Sequence, residues 1–286
     1  MWYLLFSIIC SVSVGVIFKV SRQYNTDNLQ IVGFNYVFAL LFCWLIFKPD
    51  VAAIDASAPF LVYGSLGILL PVVFLFLIAS IANIGIVKTD AAQRLSLFIP
   101  IMMAWLIFNE TFNTIKIVGI VLGFLALFCM LSKPTTATNA SWKYPILVFL
   151  GFGFIDVLFK KVALYTVVPY TTSLFVVFSI ALLVIAIPIV YEIIVKKKRF
   201  TNKNLFFGFL VGTLNFGNIL FYLKAHKAFA ESPTTVFAGM NMGVIILGSL
   251  VGVFAFKEKL STLNYVGIGF ALLSIFLIVN MLKFEI

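Results

Sequence analysis

Long apolar runs and short polar breaks alternate along the whole chain. Taken in order, the runs give candidate spans at 2–21, 30–47, 59–83, 89–108, 114–132, 144–164, 170–195, 204–226, 232–256 and 261–282. Each is close to the roughly 20 residues that a helix needs to cross about 30 Å of hydrocarbon. The runs are continuous, whereas a barrel strand alternates apolar and polar positions, so the pattern predicts helices. The breaks are short: Arg22 to Asn28, Lys48 to Ala58, Asn109 to Asn113, Lys133 to Trp142, and the basic run Lys196-Lys197-Lys198-Arg199. Consecutive helices are therefore expected to be antiparallel neighbours. The predicted fold is an all-α integral membrane protein of ten transmembrane helices.

The chain also repeats itself. Phe108-Asn109-Glu110-Thr111, followed by Thr114 and Val118-Gly119-Ile120, returns as Phe256-Lys257-Glu258-Lys259, followed by Thr262 and Val266-Gly267-Ile268. In both copies a span ends, an acid sits on a short turn, and a Thr is placed to N-cap the next helix. A weaker match pairs Val16-Ile17-Phe18-Lys19 with Val157-Leu158-Phe159-Lys160. Both pairings fit one scheme, in which the first five helices duplicate as the last five. The expected organisation is a first repeat at 1–132, a linker at 133–143 and a second repeat at 144–286. Five is odd, so the second copy enters the membrane from the opposite side and the repeats are inverted. Inverted halves can exchange conformations around a site near the midplane, which is the plan of a carrier working by alternating access.

Composition narrows the field further. Of 286 residues 63% are hydrophobic and 10% charged, with a mean hydropathy of +1.16, which excludes a water-soluble globule. Cys10, Cys43 and Cys129 lie inside apolar runs and read as small buried hydrophobes rather than disulfide or metal ligands. The start, Met1-Trp2-Tyr3, has no basic region before its apolar run, so the first helix is expected to stay. The net charge of +10 comes from Lys and Arg at span ends, where they reach lipid headgroups; no nucleic-acid partner is expected. No P-loop, nucleophile elbow or metal-binding cluster occurs, so neither an enzyme nor a cofactor is expected. The partners expected are membrane lipids and a small-molecule substrate, with the protein a monomer or homodimer in the cell (inner) membrane.

These motifs carry a family resemblance. The short turn with Glu110, its copy at Glu258, the following Val-Gly-Ile and the five-plus-five plan resemble the EamA-type members of the drug/metabolite transporter superfamily. Pro100 matches the family's proline in the fourth helix, while Met242 to Leu250 has no counterpart. The resemblance implies movement of small metabolites by alternating access without a cofactor, and termini in the cytoplasm. Counting charges gives a different orientation. About thirteen Lys and Arg adjoin the loops after odd helices and about seven the rest, which favours odd loops inside.

Candidate site residues follow from what a membrane interior tolerates. Asp156 is a carboxylate in mid-helix, costly unless wetted or paired, and reads as a counter-ion or proton-coupling group, or as an i,i+4 partner of Lys160. Lys19 and Lys160 hold matching repeat positions and either face a central cavity or snorkel. Arg94 suits an anionic substrate group or a local pair with Asp90. Asn215 and Asn218 share a face and, with Asn241, suit a zwitterionic or hydroxyl-bearing ligand or act as interhelical glue; Asn35 and Asn83 are lesser candidates. His226, between Lys224 and Lys227, reads as a solvated helix end. Trp105, Phe152 and Tyr222 are the aromatics that an aromatic-lined cavity would use. The Gly pairs 119/123, 208/212, 239/243 and 248/252 are expected to pack helices within the molecule. The substrate expected is a small amino-acid-like or amine-bearing metabolite held between Asp156 and the Asn215/Asn218 face. The alternatives are a flippase for a lipid or lipid-linked substrate and a scaffold that transports nothing.

Overall fold

The computed structural model describes residues 1–54, 58–84, 86–131, 143–165, 167–257 and 261–280. Apart from Lys143, the expected linker at 133–143 lies outside these residues, as do Glu258 and Lys259. The helices are α1 (Trp2–Ser21), α2 (Asn28–Phe47), α3 (Phe60–Ile84), α4 (Ile86–Leu95), α5 (Phe98–Leu106), α6 (Thr114–Leu131), α7 (Lys143–Leu164), α8 (Tyr170–Ile194), α9 (Asn202–Ala228), α10 (Pro233–Phe256) and α11 (Thr262–Asn280). α4 and α5 share the fourth span, so the chain makes ten spans. Among the described residues six helices, α1, α2, α3, α8, α9 and α10, are long and apolar enough to cross a membrane by themselves. The connections after odd spans lie on one face, the odd face, and those after even spans on the other, the even face.

The fourth span was expected to be continuous from 89 to 108 and is instead broken at Ser96 and Leu97. Pro100 is the cause. It has no amide hydrogen to give the Ser96 carbonyl four residues earlier, and its ring crowds that carbonyl. The chain tightens there, with Leu97 N–H donating to Arg94 O at 3.2 Å and Ile99 N–H to Ser96 O at 3.0 Å. The Ser96 hydroxyl turns back to donate to the Gln93 carbonyl at 2.5 Å. α10, the corresponding helix of the second half, has no internal proline and is unbroken.

Helix starts also differ by one residue from expectation. Thr114 and Thr262 are the first helical residues, and the caps are the residues before them. Asn113 Oδ1 accepts from Lys116 N–H at 2.9 Å, and Ser261 Oγ accepts from Asn264 N–H at 3.3 Å. A short side-chain oxygen just before the helix reaches the third amide, which a residue already in helical conformation does not. The two caps occupy equivalent repeat positions.

Packing runs mainly between the halves, and it obeys an exchange. α1 packs on α9 and α10, and the corresponding α7 packs on α3, α4 and α5; α2 packs on α9, and α8 on α3. Self-related pairs close the arrangement, α2 against α8 and α6 against α11. Close approach of backbones shows the same exchange in detail. Gly67 of α3 lies against Ile180 and the Val177 carbonyl of α8, and Gly212 of α9 lies against Phe38 and the Asn35 carbonyl of α2. In lipid the contact of small residues, rather than burial from water, holds helices together. As expected, Gly119 meets Ile278, Gly208 meets Phe34, and Gly239 and Gly243 meet Leu4 and Ile8. Gly248 is the exception, with open space where a side chain would be.

Candidate substrate cavity

A cavity of about 560 Å³ lies between the two halves, and its wall includes Lys19, Arg94, Asp156, Asn215, Asn218 and Asn241. It reaches the odd-face ends of α1, α2 and α10 at Lys19, Asn28 and Phe256. Toward the even face it stops more than a helical turn inside, at Phe159, Tyr222 and Met240. It is therefore a pocket open to the odd face and closed to the even one.

Asp156 projects from the middle of α7 and is partly exposed to the cavity. Tyr222 donates its hydroxyl to Asp156 Oδ1 at 2.8 Å. The alternative reading of Asp156, an i,i+4 pair with Lys160, is not what forms. Lys160 is fully buried outside the cavity, and its ammonium donates to the Ala230 carbonyl at 2.7 Å and to those of His226 and Phe229 at 3.4 and 3.5 Å. These are orphan carbonyls at the C-terminal end of α9, where a cation is favoured. Lys160 thus answers to a helix end and is corrected from a substrate ligand to a structural cation.

The asparagines are partly committed. Asn215 Nδ2 donates to Asn35 Oδ1 at 3.0 Å, Asn218 Oδ1 accepts from the Ser7 hydroxyl at 2.7 Å, and Asn241 Nδ2 donates to the Phe237 carbonyl at 3.0 Å. Asn215 and Asn218 thus serve as interhelical glue and cavity lining at once, while Asn241 bonds its own helix. What the amides leave over is the oxygen and one N–H of Asn215 and of Asn241, and the NH₂ of Asn218. Residues 215, 218 and 222 follow the i, i+3, i+7 spacing of one helix face. Lys19 stands at the mouth with its ammonium 3.8 Å from the centre of the Phe256 ring, a cation–π contact. Arg94 lines the wall; the Asp90 side chain, its expected partner, lies outside what is described. Phe152 and Tyr222 line the cavity, whereas Trp105 is exposed at 57% on the outer surface. Asn83 is likewise exposed and bonds its own helix.

Charge patterning did not single out Tyr36, whose side chain is buried on α2 and lines the cavity. Glu110, noted only as a motif, is also buried. Its Oε2 accepts from the backbone N–H and hydroxyl of Thr234 at 2.9 and 2.7 Å. Its Oε1 accepts from Lys116 Nζ at 2.9 Å and from the Ser232 hydroxyl at 3.0 Å. A carboxylate at the first turn of α10 is favoured by that helix's dipole and satisfies an orphan amide. Glu110 and Lys160 together tie the α9–α10 connection to α6 and α7 and seal the even face. On the odd face, Lys198 bridges Asp27 at 2.7 Å and Glu192 at 2.9 Å. Its hydrogen bonds to the two carboxylates hold its pKa above the ordinary lysine value.

His226 is corrected too. It is fully buried, with its ring between those of Tyr222 and Phe237 at centroid distances of 4.6 and 4.8 Å. Among the described residues no group of three or more His, Cys, Asp or Glu is placed to hold a metal.

A model of the EamA-like transporter family matches residues 1–132, the expected first repeat and the helices that supply one wall of the cavity. The chain belongs to the EamA-like transporter family. That family is part of the drug/metabolite transporter superfamily and is one of transporters, not enzymes. An uncharacterized protein of Haemophilus influenzae is 43% identical over 285 residues, covering 96% of each chain. A crystal structure aligns over 99% of this chain and 97% of its own at a TM-score of 0.69 with 12% identity, a likeness of fold. Family and fold make this a multi-pass integral membrane transporter.

Proposed function

We propose that the protein is a secondary transporter of a small amine-bearing or amino-acid-like metabolite in the cell (inner) membrane, working by alternating access. The observation that carries this reading is Asp156: a carboxylate lining a mid-membrane cavity, with one oxygen taken by Tyr222 and the other without a protein partner among the described residues. An embedded negative charge is costly without a counter-charge, and an ammonium supplies one together with three donors. The remaining oxygens of Asn215 and Asn241 are further acceptors for those donors. Arg94 and Lys19 line the route toward the mouth and suit a carboxylate, with the Asn218 NH₂ a further donor deeper in the cavity. The molecule stands in one state of the cycle, open at the odd face. The division into repeats at 1–132 and 144–286 supplies the second state, in which the halves exchange roles.

Uptake of a labelled amine or amino acid into proteoliposomes tests the reading. Competition by amines and amino acids is expected. Inhibition only by nucleotide sugars, phosphates or lipids would overturn the substrate class and leave the carrier fold standing.

A further inference from the structure

His226 has no role in the cavity, yet its placement is unusual for a titratable group. It lies in the last turn of α9, fully buried, and neither Nδ1 nor Nε2 has a hydrogen-bond partner among the described residues. Both ring neighbours, Tyr222 and Phe237, meet it edge to face and offer no acceptor. Leaving a buried donor and acceptor unmade costs about 1–3 kcal/mol each. An imidazole carrying that cost is relieved of it in any state that brings water or a partner to its nitrogens.

Its position identifies that state. His226 sits between the cavity floor and the even-face seal: Tyr222, one turn earlier, bonds Asp156, while its own carbonyl accepts from Lys160. In the carrier cycle proposed above, opening the even face would part the α9–α10 connection from α6 and α7 and so bring water to the imidazole. The charged and titratable groups around it are Lys160 and Asp156 on α7, Tyr222, Lys224 and Lys227 on α9, Glu231 in the connection, and Glu110 with Lys116 across it. Lys160, which donates to the His226 carbonyl, is the cation that acts on it, and Glu110 and Glu231 act on Lys160 in turn. Lys224 and Lys227 turn outward over Tyr3 and Tyr170. Among the described residues no carboxylate hydrogen-bonds the imidazole, so a proton on it has no acceptor there while the seal is closed.

We propose that His226 is a proton-binding site of the transport cycle, filled when the even face opens and emptied when it closes, so that opening toward that face takes up one proton. It rests on the carrier reading above. The sign follows from the added site: acid favours the open even face, and alkali the closed one.

Hydrogen exchange of residues 226–237, corrected for intrinsic rates and run without substrate from pH 7.5 to 5, tests it. Exchange through opening of the seal is expected to rise about tenfold per pH unit below a histidine's ordinary range near 6.5. His226→Phe, which fills the slot and takes no proton, is expected to abolish the slope. His226→Gln serves if the first variant does not fold, and is expected to be flat as well. A flat profile in the unaltered protein, or an unchanged slope in either variant, would overturn the proposal; the second result would move the proton to Glu110, Glu231 or Asp156. A slope with no uptake in proteoliposomes sinks the carrier reading instead. Uptake without a slope sinks only the role of His226.

Discussion

At the scale of single residues, two carboxylates with different surroundings carry different work. Asp156 faces the cavity with an oxygen to spare, and Glu110 has both oxygens consumed by four donors, three at the start of α10 and one, Lys116, on α6. Asp156→Asn keeps the shape and still offers an oxygen to Tyr222 but loses the charge. Uptake is expected to fall about tenfold or more, the scale of one lost charge-assisted contact of about 1.5–3 kcal/mol, while membrane insertion and melting temperature hold. Unaltered uptake by this variant across a pH series would remove Asp156 from the mechanism. Glu110→Ala should do the reverse. It leaves Lys116 buried without its partner, which costs about 3–5 kcal/mol, so a large drop in melting temperature is expected. The sequence marked both acids, but only for different reasons. Asp156 stood out because mid-helix carboxylates are rare, whereas Glu110 looked like an ordinary turn residue, since which helix end it caps depends on α10 arriving from more than a hundred residues away. Lys160 and His226 were misread for the same cause. Position along a helix suggests depth, but only the neighbouring helices decide whether a side chain meets lipid, water or another backbone.

At the scale of elements, the helices themselves were legible, because about 20 apolar residues can satisfy their backbone in lipid only by coiling. What was not legible was the break in the fourth span, which arises from one proline acting on a carbonyl four residues back. Pro100→Ala restores that hydrogen bond and should join α4 to α5. A higher melting temperature is expected together with severalfold slower uptake, since the joint lies in the cavity wall that the proposed cycle rearranges. Uptake at the original rate would show the break to be passive. Helix contacts give a sharper contrast. A side chain at Gly212 would stand against Phe38 and the Asn35 carbonyl, whereas Gly15 has nothing within 4 Å. Gly212→Val is expected to lose at least about 1–3 kcal/mol by overpacking, because a backbone carbonyl cannot swing aside. Gly15→Ala is expected to be neutral in stability. A thermal-stability assay on the two purified variants checks the pair.

At the scale of the whole molecule, the cavity is open at the odd face and sealed at the even one, and the proposed carrier cycle requires a second state with the two faces reversed. Gly15 and Gly248 both line the cavity and both have room for a side chain, so a cysteine at either reports on access without disturbing packing. In a background lacking Cys10, Cys43 and Cys129, a membrane-impermeant thiol reagent should label Gly15→Cys and Gly248→Cys from the odd face. From the even face it should label them only when the seal opens. Glu110→Gln weakens that seal by giving up the charge that α10's first turn attracts, and is expected to raise even-face labelling severalfold and reduce the odd-face rate. The experiment also fixes orientation, because the reagent is applied to a known side. Labelling from the cytoplasm in the unaltered seal would place the odd loops inside, in line with the Lys196 to Arg199 run; labelling from outside would put both termini in the cytoplasm. Equal labelling from both faces in one preparation would mean a continuous pore, and the two-state carrier would fall with it.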